Sequence, residues 1–571
     1  MRLFRYALTA ILFVILGVAI YQTMLWLGVW GSLNASQVMP LDEDDQEIAF
    51  IEPATGGDDW GRLVTALQLL QADWPRINPT LPVLRINLDG AFPPLTAEVP
   101  EIIFSFANVP KQKLRLRWYK ISGEHDAGSW VQKLKARGRS PLAVIGGGTS
   151  DRAVKLAARL RDNYTDLAAP APLLLLTTAT SEETKKGKPL IEVYKDRTFR
   201  FSFTNQKMVE ALLQFAQHRQ YPEEARQWGA GSLWVDRSAE PAELAMDLAS
   251  TIGVGAVWHG CAVLSSVPQL QPYVMHTVSW QDERYSQDMA DRFEKEFRTR
   301  YPAGVFFAET PIGNGVGEFF QPAPLEQVAV STFITDRRPI APHSFLVLPT
   351  QTVRMRRFLI NLRQRAPLEA RKLVVLNGDA VTFHSVYRDR EVIWNILDLP
   401  YSLVFFSHRN PIDRSAGFTW TTDDRSDRNR TTTGTHDILL YRDLFEAFLY
   451  AASDNGKLLS DPLKVRDRLR ATCWYHPPAE KRKDEAPRVC NPAVHALDAE
   501  HQRFFDAAGN RQTHTGEHIV WVKPSFTEDL VDLKSKISVW SLQPAREGGG
   551  WQLGEARDVY YNQQRLEGAA P

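Results

Sequence analysis

Continuous apolar runs alternate with helical patterns along most of the chain, and this alternation constrains the fold more than any other feature. Runs of Val, Ile and Leu with no polar alternation are typical of parallel strands that are covered by helices on both faces. Three of these runs are PLAVIGG, PLLLL and SLVFFS. There are more of them than one ordinary sheet holds, so the sequence predicts an α/β protein with two doubly wound lobes. The less regular stretch 81–117 is expected to add strands or loops to the first lobe.

Length and charge set the class of protein. The chain has 571 residues, of which 44% are hydrophobic, so it can bury more than one compact core. Lys and Arg together number 67, as do Asp and Glu. This balance gives no indication of a nucleic-acid partner.

The N-terminus predicts a membrane anchor. An apolar run spans Tyr6 to Trp30, and about 20 apolar residues suffice for a helix to cross a bilayer. The run exceeds the roughly 7–15 apolar residues of a signal-peptide core, which favours an uncleaved anchor over a cleaved signal. Basic residues precede it and the acidic segment Asp42–Asp45 follows it, so the body is expected in the periplasm or outside the cell. The expected segments are a cytoplasmic stub (1–5), a transmembrane helix (6–30) and a linker (31–45).

Three cysteines are compatible with that compartment. Cys473 and Cys490 flank a polar, proline-bearing stretch that is typical of a surface insertion. A disulfide between them would contribute about 3 kcal/mol for a loop of this size. The alternative is two unrelated thiols. Cys261 is expected to be a small buried residue.

Two hydroxyl-rich loops follow predicted strands. Thr149 and Ser150 come after PLAVIGGG, and Thr177 to Thr180 come after PLLLL. In open parallel sheets, ligands bind beyond the carboxyl ends of the strands, where hydroxyls and free N–H groups hold an anion. The two loops together predict a binding pocket. For Ser150 alone, a role as a helix N-cap is an equal alternative.

Motif searches weaken the catalytic and cofactor alternatives. A P-loop requires a lysine before position 155, and the dinucleotide motif requires a third glycine where Asp151 stands. A nucleophile elbow requires a closing glycine that GTSDR does not have. A serine hydrolase using Ser150 remains a minor alternative, because no histidine partner can be assigned. His514 and His518 precede a strand-like run, so a helical metal site is not expected. No cofactor is predicted.

Three stretches resemble the type 1 periplasmic binding proteins. They are RWYKISGEHDAGSWVQKLKARGRSPLAVIGGGTSDRAVKLA, APLLLLTTATSEET and RTFRFSFTNQKMVEALLQFA. The closest resemblance is to branched-chain amino-acid-binding (leucine-binding) proteins and to the related ligand-binding domains of receptors. The family shares the order of a helix, a strand with a Gly-rich Ser/Thr loop, a strand with a Ser-Ala-Thr loop, and a Phe-Arg crossover. The resemblance extends from about Glu47 to Trp551, with insertions.

The resemblance implies two lobes joined by three hinge crossings. The implied first lobe comprises 46–203 and 401–516, with insertions at 421–436 and 473–515. The implied second lobe comprises 204–400 and 517–571. The crossings are expected near Phe201–Asn205, near Asp398–Leu403, where SLVFFS would return the chain to the first lobe, and near Gly516–Trp521.

The resemblance also implies a site and a function. The carboxylate of an amino acid or a related ligand would be held by Ser150, Thr178 and Thr180 together with backbone groups near Ala179. Asp379 would meet the ammonium group, with a helix or turn cap as the alternative role. Thr55 and Trp60 would form another pocket wall, Tyr285 could line the cleft, and His408 would lie near its mouth. The implied protein is a non-enzymatic solute-binding protein that works with an ABC permease or another membrane partner. The alternative is a structural or assembly ectodomain that has lost its ligand.

Overall fold

A computed structural model describes most of the body of the protein. The described residues are 37–217, 274–312, 344–365, 373–381, 402–408, 436–475, 488–492, 501–512, 517–522, 535–544 and 551–561, with residues 16, 18 and 330 and with short gaps at 78–80, 96, 124, 166–169 and 185–186. The apolar run 6–30 falls outside this set except for residues 16 and 18, as do the run GSLWVD and Cys261. None of the helices in the described part is long and apolar enough to cross a membrane.

The first lobe is built on a seven-stranded sheet with the order β2-β3-β4-β1-β5-β6-β7. Strands β4, β1, β5, β6 and β7 are parallel, and the antiparallel β2 and β3 extend the β4 edge from within the stretch 81–117. The strands are β1 (Gln46–Pro53), β2 (Leu84–Asn87), β3 (Glu101–Phe106), β4 (Val109–Ile121), β5 (Ala143–Gly146), β6 (Leu173–Leu176) and β7 (Thr198–Arg200).

Helices cover both faces of this sheet. Ile48 and Phe50 of β1 join a core with helix α1 (Gly57–Ile77), whereas Ala49 and Ile51 join a core with α2 (Ala127–Ala136) and α3 (Ser150–Asn163). Successive side chains of a strand point to opposite faces, so an unbroken apolar strand needs a helical layer on each side. The first lobe therefore has the doubly wound architecture that the sequence predicts.

The second lobe is built on an eight-stranded sheet with the order β20-β19-β18-β12-β11-β10-β8-β9. Its first five strands in the chain are parallel, and the last three are antiparallel. The elements described in it are α4 (Asn205–Gln217), β8 (Val274–Trp280), α5 (Arg284–Arg300), β9 (Val305–Ile312), β10 (Ser344–Val347), α6 (Thr352–Arg365), β11 (Leu373–Asn377), β12 (Ser402–Ser407), β18 (His518–Val522), β19 (Ser535–Pro544) and β20 (Trp551–Tyr561).

The remaining described elements lie against the first lobe. Leu444 and Phe448 of helix α7, with Trp474 and Phe504, share the core that contains α1. These elements are α7 (His436–Ala452), β13 (Ser453–Asp454), β14 (Lys457–Leu458), α8 (Pro462–Ala471), β15 (Cys473–Tyr475), β16 (Arg488–Cys490) and β17 (His501–Arg503).

The parallel parts of the two sheets have the same winding. In the order of the chain, each sheet arranges its five parallel strands as second, first, third, fourth, fifth: β4-β1-β5-β6-β7 in one and β9-β8-β10-β11-β12 in the other. This order reverses direction between the first and third strands, and ligands of open α/β sheets bind at the carboxyl ends near that point. The fold thus marks the ends of β1, β5 and β8 as the places to look for a site.

One predicted crossing is wrong. The segment SLVFFS forms β12, which pairs in parallel with β11 in the second sheet and does not return the chain to the first lobe near Asp398–Leu403. It supplies the fifth strand that completes the winding of that sheet. The return to the first lobe therefore comes after Ser407 and before α7. The prediction failed because a buried apolar strand has the same pattern in either lobe.

Candidate functional site

The two lobes meet at the carboxyl ends of their parallel strands. Arg284, the first residue of α5, donates its backbone N–H to Asp151 Oδ2 at 3.1 Å and its side-chain Nε to the carbonyl oxygen of Glu183 at 2.8 Å. Arg292 forms an ion pair with Glu183, with 3.1 Å between Nη2 and Oε1. The loops after β5 and β6 are therefore held directly against the helix that follows β8.

Asp288 lies at the centre of this junction. Its side chain is buried, and its Oδ2 accepts hydrogen bonds from the backbone N–H of Glu182 at 3.0 Å and from Asn205 Nδ2 at 2.8 Å. Arg284 and Arg292 lie 3.8 Å and 3.7 Å from Oδ1. Burial raises the pKa of Asp288, and the bond from Glu182 opposes that shift. A carboxylate of the second lobe is thus bound by a backbone amide of the first.

A second carboxylate occupies the Gly-rich loop. Glu52, near the end of β1, accepts the backbone N–H of Gly148 at 2.6 Å and pairs with Arg152 at 3.3 Å. Burial raises its pKa to about 7, and the hydrogen bond from Gly148 opposes the rise. The loop is tight because Gly147 has a φ of +74° and a Cβ there would lie 2.5 Å from the Cα of Ala153.

Ser150 and Thr178 tie the two first-lobe loops to each other. Ser150 Oγ accepts the backbone N–H of Ser181 at 3.2 Å, and Thr178 Oγ1 donates to the carbonyl oxygen of Gly148 at 2.9 Å. The N-cap of α3 is Thr149, whose side chain accepts the N–H of Arg152, so the cap role considered for Ser150 belongs to its neighbour. The structure brings the two predicted hydroxyls together, and both already have protein partners.

Thr180 and Ala179 are fully buried beside this junction. The carbonyl oxygen of Thr180 accepts the N–H of Asn205 at 2.9 Å. Within the part of the chain that the structure describes, four buried oxygens here have no hydrogen-bond partner: Thr180 Oγ1, Ser181 Oγ, Ser202 Oγ and Asn205 Oδ1. Buried polar atoms normally have a partner, so these atoms indicate a place where a ligand or water binds.

Arg200 adds a buried cation to the same region. It is 1% exposed, and its Nη2 donates to the carbonyl oxygen of Ser181 at 2.8 Å. Its Nε has no hydrogen-bond partner among the described residues. Burial lowers the pKa of Arg200, and the charges of Glu182 and Asp288 oppose this.

Asp379 lies at the carboxyl end of β11 in a cluster of second-lobe side chains. Its Oδ2 is 2.9 Å from His408 Nε2, and the ring of His408 stacks on Phe203 with 6.0 Å between centroids. Burial, followed by the charge of Asp379, raises the pKa of Tyr285 well above its usual value. A Cβ on Gly378 would lie 2.3 Å from the Tyr285 hydroxyl, so the glycine admits this ring.

Thr55 and Trp60 do not form a common pocket wall. Thr55 is exposed on the loop after β1. Trp60 is 1% exposed in the first-lobe core, where it stacks on Trp118 and its Nε1 donates to the carbonyl oxygen of Ala91 at 2.8 Å. Its position on the buried face of α1 accounts for this placement, and its predicted ligand role has no support.

Four residues of the junction were missed in the sequence. Glu52 and Arg200 end strands, which is the signal that selected Ser150 and Asp379 and could have selected them too. Asn205 begins α4, where a helix cap is the simpler interpretation. Asp288 had no such signal, because an acid within a charged helix is usually solvated.

Cys473 and Cys490 are directly opposite each other in the antiparallel pair β15–β16. Both are buried, and a hydrogen bond with the side chain of Cys490 lowers the pKa of the Cys473 thiol. The predicted disulfide remains a prediction. Among the described residues there is no group of three or more His, Cys, Asp or Glu side chains that could hold a metal ion.

Comparison with known proteins gives likenesses of structure only. No family model and no curated protein matches the chain. A leucine-binding protein of Thermotoga maritima is similar with a TM-score of 0.44 and 11% identity, covering 90% of this chain and 98% of its own. A branched-chain amino acid transporter substrate-binding protein of Streptococcus pneumoniae, in complex with isoleucine, has a TM-score of 0.45 and 11% identity over 89% of this chain and 100% of its own. An ABC-transporter solute-binding protein of Rhodopseudomonas palustris, in complex with 3,4-dihydroxybenzoic acid, has a TM-score of 0.44 and 11% identity over 92% and 100%.

Proposed function

We propose that the protein is an extracytoplasmic solute-binding protein, held at the membrane by its N-terminal apolar run, that binds a small polar ligand between its lobes. Two doubly wound lobes whose carboxyl ends face each other form the arrangement in which such ligands bind. The similar solved structures include proteins of ABC transporters, which makes a permease or a related membrane protein the proposed partner. No catalytic step is proposed, because Ser150 Oγ serves as a hydrogen-bond acceptor between two loops.

The observation that carries the proposal is the set of buried oxygens at the junction. Thr180, Ser181, Ser202 and Asn205 are each 0% exposed, and each has a side-chain oxygen without a partner in the described part of the protein. Leaving such an atom unpaired costs about 1–3 kcal/mol. Four of them on two adjoining segments favour a site that is completed by a bound polar molecule.

A ligand-free structural role is the competing function, and one observation favours it. Ser150, Thr178 and Asp379 all have protein partners, and the lobes hold each other through Arg284, Arg292 and Asp288. A junction that is closed by its own side chains can serve assembly without any ligand.

Calorimetric titration of the full-length chain in detergent separates these functions. The panel should hold amino acids, hydroxybenzoates and sugars, with thermal shift as a first screen, because a ligand at 100 times its Kd adds about 2.7 kcal/mol. For a ligand found in this way, Thr180→Val should weaken binding on the order of tenfold. Thr198→Val is the matched control, since Thr198 is equally buried in the first lobe but bonds the carbonyl oxygen of Tyr194. Equal affinity in both variants would remove Thr180 from the site, and no binding across a broad panel would favour the structural role.

The membrane anchor is tested separately. Carbonate washing should leave the chain in the membrane fraction, and protease added from the periplasmic side should digest the body. A soluble cytoplasmic pool would contradict this part of the proposal.

A further inference from the structure

The junction lacks the free backbone amides that a ligand carboxylate would need. The N–H groups of Glu182 and Gly148 are bound by the carboxylates of Asp288 and Glu52. The N–H of Arg284 is bound by Asp151, and that of Ser181 by the hydroxyl of Ser150. At each of these four amides, an oxygen of the chain stands where an anionic ligand would be bound.

The atoms that remain have mixed hydrogen-bonding character. Asn205 Oδ1 can only accept, and it lies at the junction because Nδ2 of the same amide donates to Asp288. Arg200 Nε can only donate, and the same guanidinium bonds the carbonyl oxygen of Ser181. The buried hydroxyls of Thr180 and Ser181 can do either.

These atoms discriminate between classes of ligand. A carboxylate only accepts, so it cannot serve Asn205 Oδ1, and it would approach the buried Asp288. An ammonium group only donates, so it cannot serve Arg200 Nε, and it would lie close to that buried cation. A hydroxyl group donates and accepts without charge, so it satisfies both kinds of atom.

We propose that the interlobe site takes an uncharged, hydroxyl-rich small molecule, and that Asp288 and Glu52 fill the places expected for a ligand carboxylate. This inference rests on the proposed solute-binding function and replaces the carboxylate that the sequence resemblance implies.

Removing the internal carboxylates provides a test that does not depend on the natural ligand. In the full-length chain, Asp288→Ala frees the Glu182 amide and Asn205 Nδ2, and Glu52→Ala frees the Gly148 amide. Sodium acetate, compared with sodium chloride at equal ionic strength, should raise the melting temperature of both variants and should not raise that of the wild type. Asp291→Ala is the matched control, because Asp291 is an exposed acid on the same helix as Asp288. The two positions lie in different lobes, so if one variant fails to fold, the other gives the result.

Titration of the wild type tests the ligand class. Isoleucine and 3,4-dihydroxybenzoate should bind at least tenfold more weakly than the best of a panel containing ribose, glucose and inositol. Tighter binding of either carboxylate would overturn the inference and leave the proposed function standing. Acetate that stabilises neither folded variant beyond Asp291→Ala would overturn the filled-place argument. No binding of any polyol would overturn the hydroxyl-rich class, and the proposed function would fail only if the wider panel gave nothing either.

Discussion

The two acidic residues that the second lobe places at its carboxyl edge have different partners. Asp288 reaches across to the first lobe, where a backbone amide and Asn205 bind it. Asp379 stays within its own lobe, beside His408 and the Tyr285 hydroxyl. The first contact joins the lobes, whereas the second shapes one wall of the site. Equivalent ends of parallel strands therefore serve two purposes, and strand position alone does not distinguish them.

Replacing each acid should separate these purposes. Asp288→Ala leaves buried donors unpaired in both lobes, so we expect a loss of unfolding free energy of about 3–5 kcal/mol and a larger radius of gyration by small-angle X-ray scattering. Asp379→Ala should cost less and leave the radius unchanged. Equal expansion of both variants would show that Asp288 has no special role in joining the lobes.

The pH dependence of stability should identify Glu52. Its pKa rises from 4.5 to about 7 on folding, so the folded state holds the proton more tightly than the unfolded state does. Its contribution to stability is therefore full below pH 4.5 and is lost as the pH rises to 7, by about 3 kcal/mol. Glu52→Gln should remove this loss, so the variant gains on the wild type between pH 4.5 and 8 in denaturant titrations. A constant difference across that range would contradict the raised pKa.

The disulfide prediction concerns the first lobe alone. In an oxidising compartment Cys473 and Cys490 should form a bond, detected as a mass two hydrogens lower and as protection from thiol-labelling reagents. Reduction should lower the unfolding free energy by about 3 kcal/mol or less and leave the Asp288 contact intact. Full labelling of both thiols in native, unreduced protein would sink the prediction.

The sequence was sufficient for the class of fold and insufficient for the closed junction. Unbroken runs such as Leu173–Leu176 have one physical solution, a parallel strand covered on both faces, so the α/β architecture could be predicted. The lobe to which SLVFFS belongs could not, because strand pairing over long separations leaves no local pattern. Ser150, Thr178 and Thr180 were placed correctly near one another. Their partners depend on how two lobes meet, which no single segment encodes.

The smallest effects concern the loop after β5. Thr149→Ala removes the N-cap of α3 and should cost about 1 kcal/mol. Ser150→Ala removes the acceptor for the Ser181 amide and should cost about 1–3 kcal/mol, with a correspondingly faster exchange of that amide. If Ser150→Ala left the exchange of Ser181 unchanged, the link between the two loops would be wrong.

Hydrogen exchange at the Glu182 amide tests the central claim most directly. The account holds that this first-lobe amide is bound by Asp288 of the second lobe. In Asp288→Ala the amide should exchange at least tenfold faster than in the wild type, while Asp379→Ala should leave its rate unchanged. Protection of the Glu182 amide that survives the loss of Asp288 would contradict the account.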